Sequence, residues 1–416
     1  MAQVSQVSSI RSTDEADSED RIAALDGLRA GAMLLGVCLH AAVSYMPSRM
    51  PGLIWVIHDG VGHSFFDFLF WWFHGFRLPL FFFLAGFFAA LVESKRGPSG
   101  LLVHRVRRVL VPFVAGCLFL LPIAFYIWSA GWLVSGRCTV KEILAVKFGS
   151  EVQGEVYGPL HLWFLEDLFL LTLVYCAFRF GNGRRPKIQN PSRQTSQLVN
   201  RPWTRWLLPL ALSVPTALVL MVNLKPVIAH HNSFVPDGWR LSYYGLFFLA
   251  GAFVYPKRSQ LSPIGDSWIL YLSLSLLPAV ILLPLLQHHL QNPHDWGLRM
   301  ALAATLSLSA WLSLFGFLGL GLRWGNGPRP ALRYLADASY WVYLCHLPLV
   351  GLIQLDLEGV DCPAGIKFVA VVALTALLAL ASYHTLIRYT FVGTCLHGPR
   401  RRSVARSDEI ASRRAA

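Results

Sequence analysis

Long runs of apolar side chains alternate with short polar stretches along this chain, and run length carries more structural information than any periodicity. Ten runs approach the roughly 20 residues a helix needs to cross the hydrocarbon core of a bilayer. They are Leu25 to Tyr45, Phe65 to Leu91, Val109 to Val134, Pro159 to Phe178, Trp206 to Val222, Leu241 to Tyr255, Trp268 to Gln287, Leu302 to Leu320, Tyr334 to Leu355 and Phe368 to Ile387. The sixth is short. Within each run the apolar residues are continuous, without the alternation of membrane β-strands, so the pattern predicts helices. The expected fold is all-α: a polytopic membrane helical bundle of about ten helices around a polar cavity.

Composition agrees with that reading. Of 416 residues, 55% are apolar and 14% charged, where a soluble domain would be about a quarter charged. An ordinary cytosolic enzyme, a coiled coil and a disordered chain are thereby excluded. The 36 Lys and Arg outnumber the 23 Asp and Glu, giving +13, which in a soluble protein would suggest a nucleic-acid partner. Here 26 of the 36 fall in the N-terminal tail, the even-to-odd connections and the C-terminal tail, against 8 in the alternate connections. The positive-inside rule then predicts cytoplasmic termini, and the charge requires no nucleic acid.

The domain layout follows. Residues 1–20 read as a disordered cytoplasmic tail, 21–395 as the membrane domain and 396–416 as a basic cytoplasmic tail. The stretch 179–205, rich in basic residues, Pro, Asn, Ser and Gln, reads as a flexible cytoplasmic loop. The start of the chain is acidic and has no apolar h-region, so no cleavable signal is expected. No internal repeat stands out, which disfavours transporters built from inverted halves. The seven cysteines show no CxxC spacing, so no metal site is expected. Cys138 and Cys362, in outward loops, form a candidate disulfide.

Ionisable groups inside such runs need a chemical reason, because burying them in hydrocarbon is costly. Arg29 and His40 are 11 residues apart, about 20° from whole turns and roughly 16 Å along a helix. They share a face with Gly36 between them. Either they serve a ligand lying along that helix, or Arg29 snorkels and pairs with Asp26 while His40 is packed core. In the second run His74 and Arg77 are one turn apart, and Arg77 near the centre needs an anionic partner. Glu166 and Asp167 of the fourth run, below His161, are the candidates, and an Arg77–Glu166 pair would serve packing alone. Pro79 should kink or interrupt this helix. In the ninth run His346 lies at a depth resembling that of His40, suiting either proton transfer or a bond to a carbonyl near Pro348. His384 and Arg388 read as lipid anchors. Arg105, Arg107 and Arg108 either enforce topology or form a guanidinium fork for phosphates.

Taken together, the Arg29-to-His40 spacing, FRLPLFFFLAGFF, the Arg-x-Arg of Arg105 and Arg107 before Pro112, HLWFLEDL and SYWVYLCHLPL resemble the integral-membrane acyltransferase family 3. The resemblance runs from about Arg21 to Cys395 and is strongest to the subgroup associated with succinylation of periplasmic glucans. It implies a multi-pass protein of the bacterial inner membrane. Such a protein transfers a succinyl or acetyl group from cytoplasmic acyl-CoA to a hydroxyl of an extracytoplasmic glucan or other carbohydrate. His40 would be the base, with Arg29, Arg105 and Arg107 holding the coenzyme A and no cofactor bound permanently. Arg77, His74 or His346 would supply the donor to the developing oxyanion. Many relatives carry a glutamate where Leu168 stands, which leaves Glu166 or Asp167 to orient His40. Two rival readings remain: a secondary transporter or flippase using these groups as a proton relay, and a non-enzymatic scaffold for envelope assembly.

Overall fold

The computed structural model describes residues 23–50, 53–182, 202–224, 232–324 and 330–397. The expected tails, and most of the basic loop 179–205, lie outside the described residues. Helices account for nearly all the rest, and no strand occurs among the described residues. In chain order they are α1 (Ala23–Ala42), α2 (Ser64–Arg105), α3 (Val111–Val134), α4 (Val140–Ala145), α5 (Ser150–Val156), α6 (Trp163–Asn182) and α7 (Pro202–Val222). There follow α8 (Gly238–Val254), α9 (Ser262–Asp266), α10 (Trp268–Gln291), α11 (Trp296–Trp324), α12 (Pro330–Asp356), α13 (Ala364–Ser382) and α14 (Phe391–His397). Each of the ten apolar runs falls on one of these helices. Among the described residues, seven continuous helical stretches are long and apolar enough to cross a membrane by length and composition.

One of those stretches, Ser64–Val134, contains two of the predicted runs. A π-helical turn, Val106–Leu110, joins α2 to α3 where the sequence predicts a loop. The break comes instead at Gly97 (φ 73°, ψ 175°), a conformation that only glycine adopts without strain. Pro98 follows, which disfavours helical backbone at the residue before it and favours the first turn of what comes next. The chain turns back here, since Trp128 near the end of α3 meets Trp55 just ahead of α2. Pro79, expected to kink or interrupt α2, does not interrupt it: Gly97 alone departs from helical geometry.

The apolar surface is arranged as a bilayer demands. Leu118, Phe119 and Tyr126 of α3, Leu277 and Val280 of α10, and Ile366 and Leu377 of α13 point outward and are exposed. Helices α1, α11 and α12 are the most enclosed. Around α1 pack α2, α11, α12 and α13. All seven cysteines are free, so the candidate Cys138–Cys362 disulfide is absent; the Cys138 thiol points to the Ser129 carbonyl.

A short repeat that the sequence reading missed fixes one helix crossing. The pentapeptide FFLAG occurs at 82–86 in α2 and at 247–251 in α8. The two copies pack on each other reciprocally: Gly86 lies against the Phe248 carbonyl and Gly251 against the Phe83 carbonyl. A Cβ at either glycine would overlap backbone, which cannot swing aside, so the close approach depends on both residues being glycine. Gly86→Ala or Gly251→Ala should therefore lower the melting temperature of the detergent-purified protein, consistent with ~1–3 kcal/mol of overpacking. Gly31→Ala, where nothing lies within 4 Å, should not lower it. Equal melting temperatures for all three would refute the crossing.

Candidate active site

His40 lies in the last turn of α1, where backbone carbonyls have run out of helical partners. Gln354 of α12 supplies one: its amide nitrogen donates to the Ala41 carbonyl at 2.9 Å. Its amide oxygen accepts from the Trp55 indole at 2.7 Å. Trp55, from the segment between α1 and α2, stacks on the His40 ring at 5.8 Å and 3°. Trp128 closes on Trp55 edge-on at 5.3 Å. The segment bearing Trp55 is itself tied down, by Ser44 Oγ donating to the Ile57 carbonyl at 2.8 Å and by the Lys367–Asp59 pair at 2.6 Å. The His40 ring is thus oriented by an aromatic face. No described residue hydrogen-bonds its nitrogens, which open onto the central cavity.

Two more imidazoles adjoin it. His346 of α12 lies 5.2 Å from His40 between ring centres, and His161 lies 5.2 Å from His346. His346 Nδ1 is 2.7 Å from the Tyr343 carbonyl and His161 Nε2 is 3.0 Å from the Leu344 carbonyl. A carbonyl can only accept, so these two nitrogens carry the protons. The remaining nitrogen of each neutral ring is a bare acceptor, buried and unpartnered. His346 is therefore unsuited to the oxyanion-donor role offered to it by sequence. His161 is held in place by the Tyr343 hydroxyl, which donates to its carbonyl at 2.8 Å. Leu160 before it adopts φ +48°, sparsely populated for a leucine, with its N–H donating to Asn232 at 2.9 Å.

Arg77 also lines the cavity. Its guanidinium fills the space over Gly36, one turn below His40, where a side chain would collide with Nη1. The face shared by Arg29, Gly36 and His40 thus carries a second cation at its middle. The Arg77 Nε is buried without a partner, and no carboxylate among the described residues pairs with this guanidinium. His74, one turn earlier, stacks on Phe70 at 5.4 Å and lines the same cavity.

The carboxylates of α6 do not take the parts expected of them. Asp167 is fully buried in a two-pronged pair with Arg240 of α8, at 2.7 and 2.9 Å. The Arg240 guanidinium also lies over the Trp163 ring. Glu166 lies outside the cavity lining and forms no pair with Arg77. Neither lines the cavity or hydrogen-bonds His40; the residue of this segment that adjoins the imidazoles is His161.

The opposite end of the cavity is basic. Arg29, Arg105 and Arg108 line it together with Tyr340, whose hydroxyl donates to the Arg108 carbonyl at 2.7 Å. Arg105 also donates to the Ala85 carbonyl at 2.9 Å, and Arg29 keeps the expected Asp26 within 3.7 Å. Arg107 is exposed on the other side. Helical geometry accounts for this: a residue two positions on is about 200° away, whereas one three positions on returns to nearly the same face. Between the ends, Met33, Phe81, Leu84 and Phe88 form an apolar sleeve. The cavity measures ≈ 430 Å³. Of His384 and Arg388, read as lipid anchors, His384 is exposed and Arg388 half-buried, with the two side chains 3.4 Å apart.

A helical bundle enclosing imidazoles and a guanidinium, joined by an apolar sleeve to a cluster of arginines, is a membrane-embedded site equipped for acid–base group transfer. A family model described as an acyltransferase domain matches residues 22–384, and the chain belongs to that family, acyltransferase family 3. It is a multi-pass membrane acyltransferase. Similar proteins include the glucans biosynthesis protein C of Salmonella paratyphi B, Salmonella dublin and Salmonella enteritidis PT4. Each is 23% identical over 332 residues, covering 78% of this chain and 81% of the relative. No solved structure matches significantly.

If Asp167 and Arg240 serve the fold, Asp167→Asn should destabilise the protein by about 3–5 kcal/mol, because it strands a buried cation. Asp167→Leu with Arg240→Met should recover most of that loss. Thermal unfolding of the three proteins in detergent checks this; a double variant as unstable as the single one would contradict it.

Proposed function

We propose that this enzyme moves an acyl group, succinyl or acetyl, from cytoplasmic acyl-CoA to a hydroxyl of an extracytoplasmic glucan or related carbohydrate. The observation that carries the reading is the continuity of one cavity, with three arginines at one end and His40 about 16 Å away along α1. A phosphate-rich nucleotide suits the arginines and a long flexible thioester arm suits the apolar sleeve. The glucan acceptor is taken from the name of the relatives.

In this reading the chain crosses the bacterial inner membrane ten times with both termini in the cytoplasm. The ten apolar runs on helices and the 26-to-8 distribution of basic residues support it. The arginine end then opens to the cytoplasm and the imidazole end lies toward the other side, so the acyl group alone crosses the membrane.

The chemistry follows from the groups at hand. An acceptor hydroxyl loses its proton to His40 as its oxygen attacks the thioester carbonyl carbon. The carbonyl oxygen gains negative charge, and the Arg77 guanidinium, which no carboxylate among the described residues neutralises, stabilises it. His74 lies within the same cavity on the turn before Arg77 and helps shape that end of the site. The carbon–sulfur bond then breaks, the double bond reforms, and the coenzyme A sulfur takes the proton from His40. Thiol and ester are the products.

His40→Ala should abolish acyl substitution of periplasmic glucans, read as loss of a mass increment, while the protein still inserts. Normal substitution would exclude His40 as the base. At the other end, Arg105→Ala and Arg108→Ala should each weaken coenzyme A binding to purified protein by about tenfold, the loss of one charge-assisted contact. Arg107→Ala should leave it unchanged. Should Arg107→Ala weaken binding as much as Arg108→Ala, the assignment would be wrong.

A further inference from the structure

Two bare imidazole nitrogens belong to residues that line the cavity beside His40, and the transfer step above uses neither. His346 Nε2 and His161 Nδ1 are lone-pair acceptors because backbone carbonyls hold the opposite nitrogen of each ring in its N–H form. Both are buried and have no hydrogen-bond partner among the described residues. The fold maintains them at some cost, with Leu160 in left-handed backbone next to His161 and the Tyr343 hydroxyl spent on the His161 carbonyl.

What would satisfy two acceptors here is narrow. A metal ion is unsuited: no group of three His, Cys, Asp or Glu side chains among the described residues converges for one. An organic cation is disfavoured by the Arg77 guanidinium in the same cavity. A thioester carbonyl offers only lone pairs, so the reacting group of the acyl donor cannot bond to either nitrogen. Neutral N–H and O–H donors remain; the amides of the coenzyme A arm are single donors spaced along a flexible chain, whereas a sugar presents several hydroxyls on one rigid ring and so can meet both nitrogens at once.

We propose that His346 and His161 form a receptor for hydroxyl groups of the acceptor, holding two of them so that a third meets His40. The acceptor class it selects is a polyhydroxylated ring rather than a simple alcohol. This rests on the reading that the acceptor is a carbohydrate. The receptor also explains the spacing of the three imidazoles, each ring 5.2 Å from the next.

The test uses the full-length protein in detergent, acyl-CoA as donor, and methyl β-glucoside with its monodeoxy analogues as acceptors. For the wild type, removing a hydroxyl that meets the receptor should lower acceptor kcat/KM at least about tenfold, since a site built to bond a hydroxyl rejects the analogue that lacks it. In His346→Leu and in His161→Leu the parent sugar should be a poorer acceptor. The discrimination against one deoxy analogue should collapse toward unity in each variant, while the KM for acyl-CoA stays the same. A variant that merely misfolds would lose donor affinity as well, and His346→Gln, which returns an acceptor oxygen to the position of Nε2, should restore part of the discrimination. Deoxy discrimination unchanged in both leucine variants would overturn the receptor alone. Failure of the wild type to acylate any of these sugars would overturn it together with the carbohydrate reading.

Discussion

Away from water, a hydrogen-bonding group must find its partner within the protein or be left for a ligand, and this constraint organises the interior of the bundle. Most polar groups here are satisfied close to home. Ser307 and Thr172 bond to carbonyls one turn back in their own helices, and Asp167 and Arg240 neutralise each other out of reach of solvent. Several of the exceptions belong to residues that line one cavity. There the His161 and His346 rings keep one nitrogen bare, and among the described residues no carboxylate pairs with the Arg77 guanidinium and nothing hydrogen-bonds the His40 ring.

The same constraint explains how His40 is held without a carboxylate. An anionic orienting group would add a second buried charge beside Arg77 and draw its guanidinium into a pair. Stacking on Trp55 fixes the plane of the ring and leaves both nitrogens available. Gln354 ties the indole and the end of α1 to α12 with two hydrogen bonds, so that ring, indole and helix end form one unit. The neighbouring crossing of α2 and α8 through the paired FFLAG segments sets how closely the wall bearing Arg77 can pack.

Much of the architecture could be read locally. Apolar run length placed every long helix, and the 11-residue spacing put Arg29 and His40 on one face, as the cavity lining bears out. The same angular arithmetic, applied to the basic cluster, would have favoured Arg108 over Arg107 as the companion of Arg105. The FFLAG repeat was likewise present in the sequence, but its two copies are 165 positions apart and gain meaning only from their contact. Nothing in HLWFLEDL tells that His161, and not the acidic pair after it, adjoins the other imidazoles.

The sequence by itself determined that the chain is a membrane helical bundle, which helices it contains and which residues inside them are chemically costly, because these depend on composition and on the fixed geometry of a single helix. Only the tertiary structure decided who meets whom. It gave Asp167 to Arg240, left Arg77 lining the cavity, assigned the proton of His161 through the distant Leu344 carbonyl, and brought Trp55 and Gln354 to His40 from other segments. Those outcomes depend on which helices adjoin and at what height, and side-chain pattern along one helix carries no record of its neighbour.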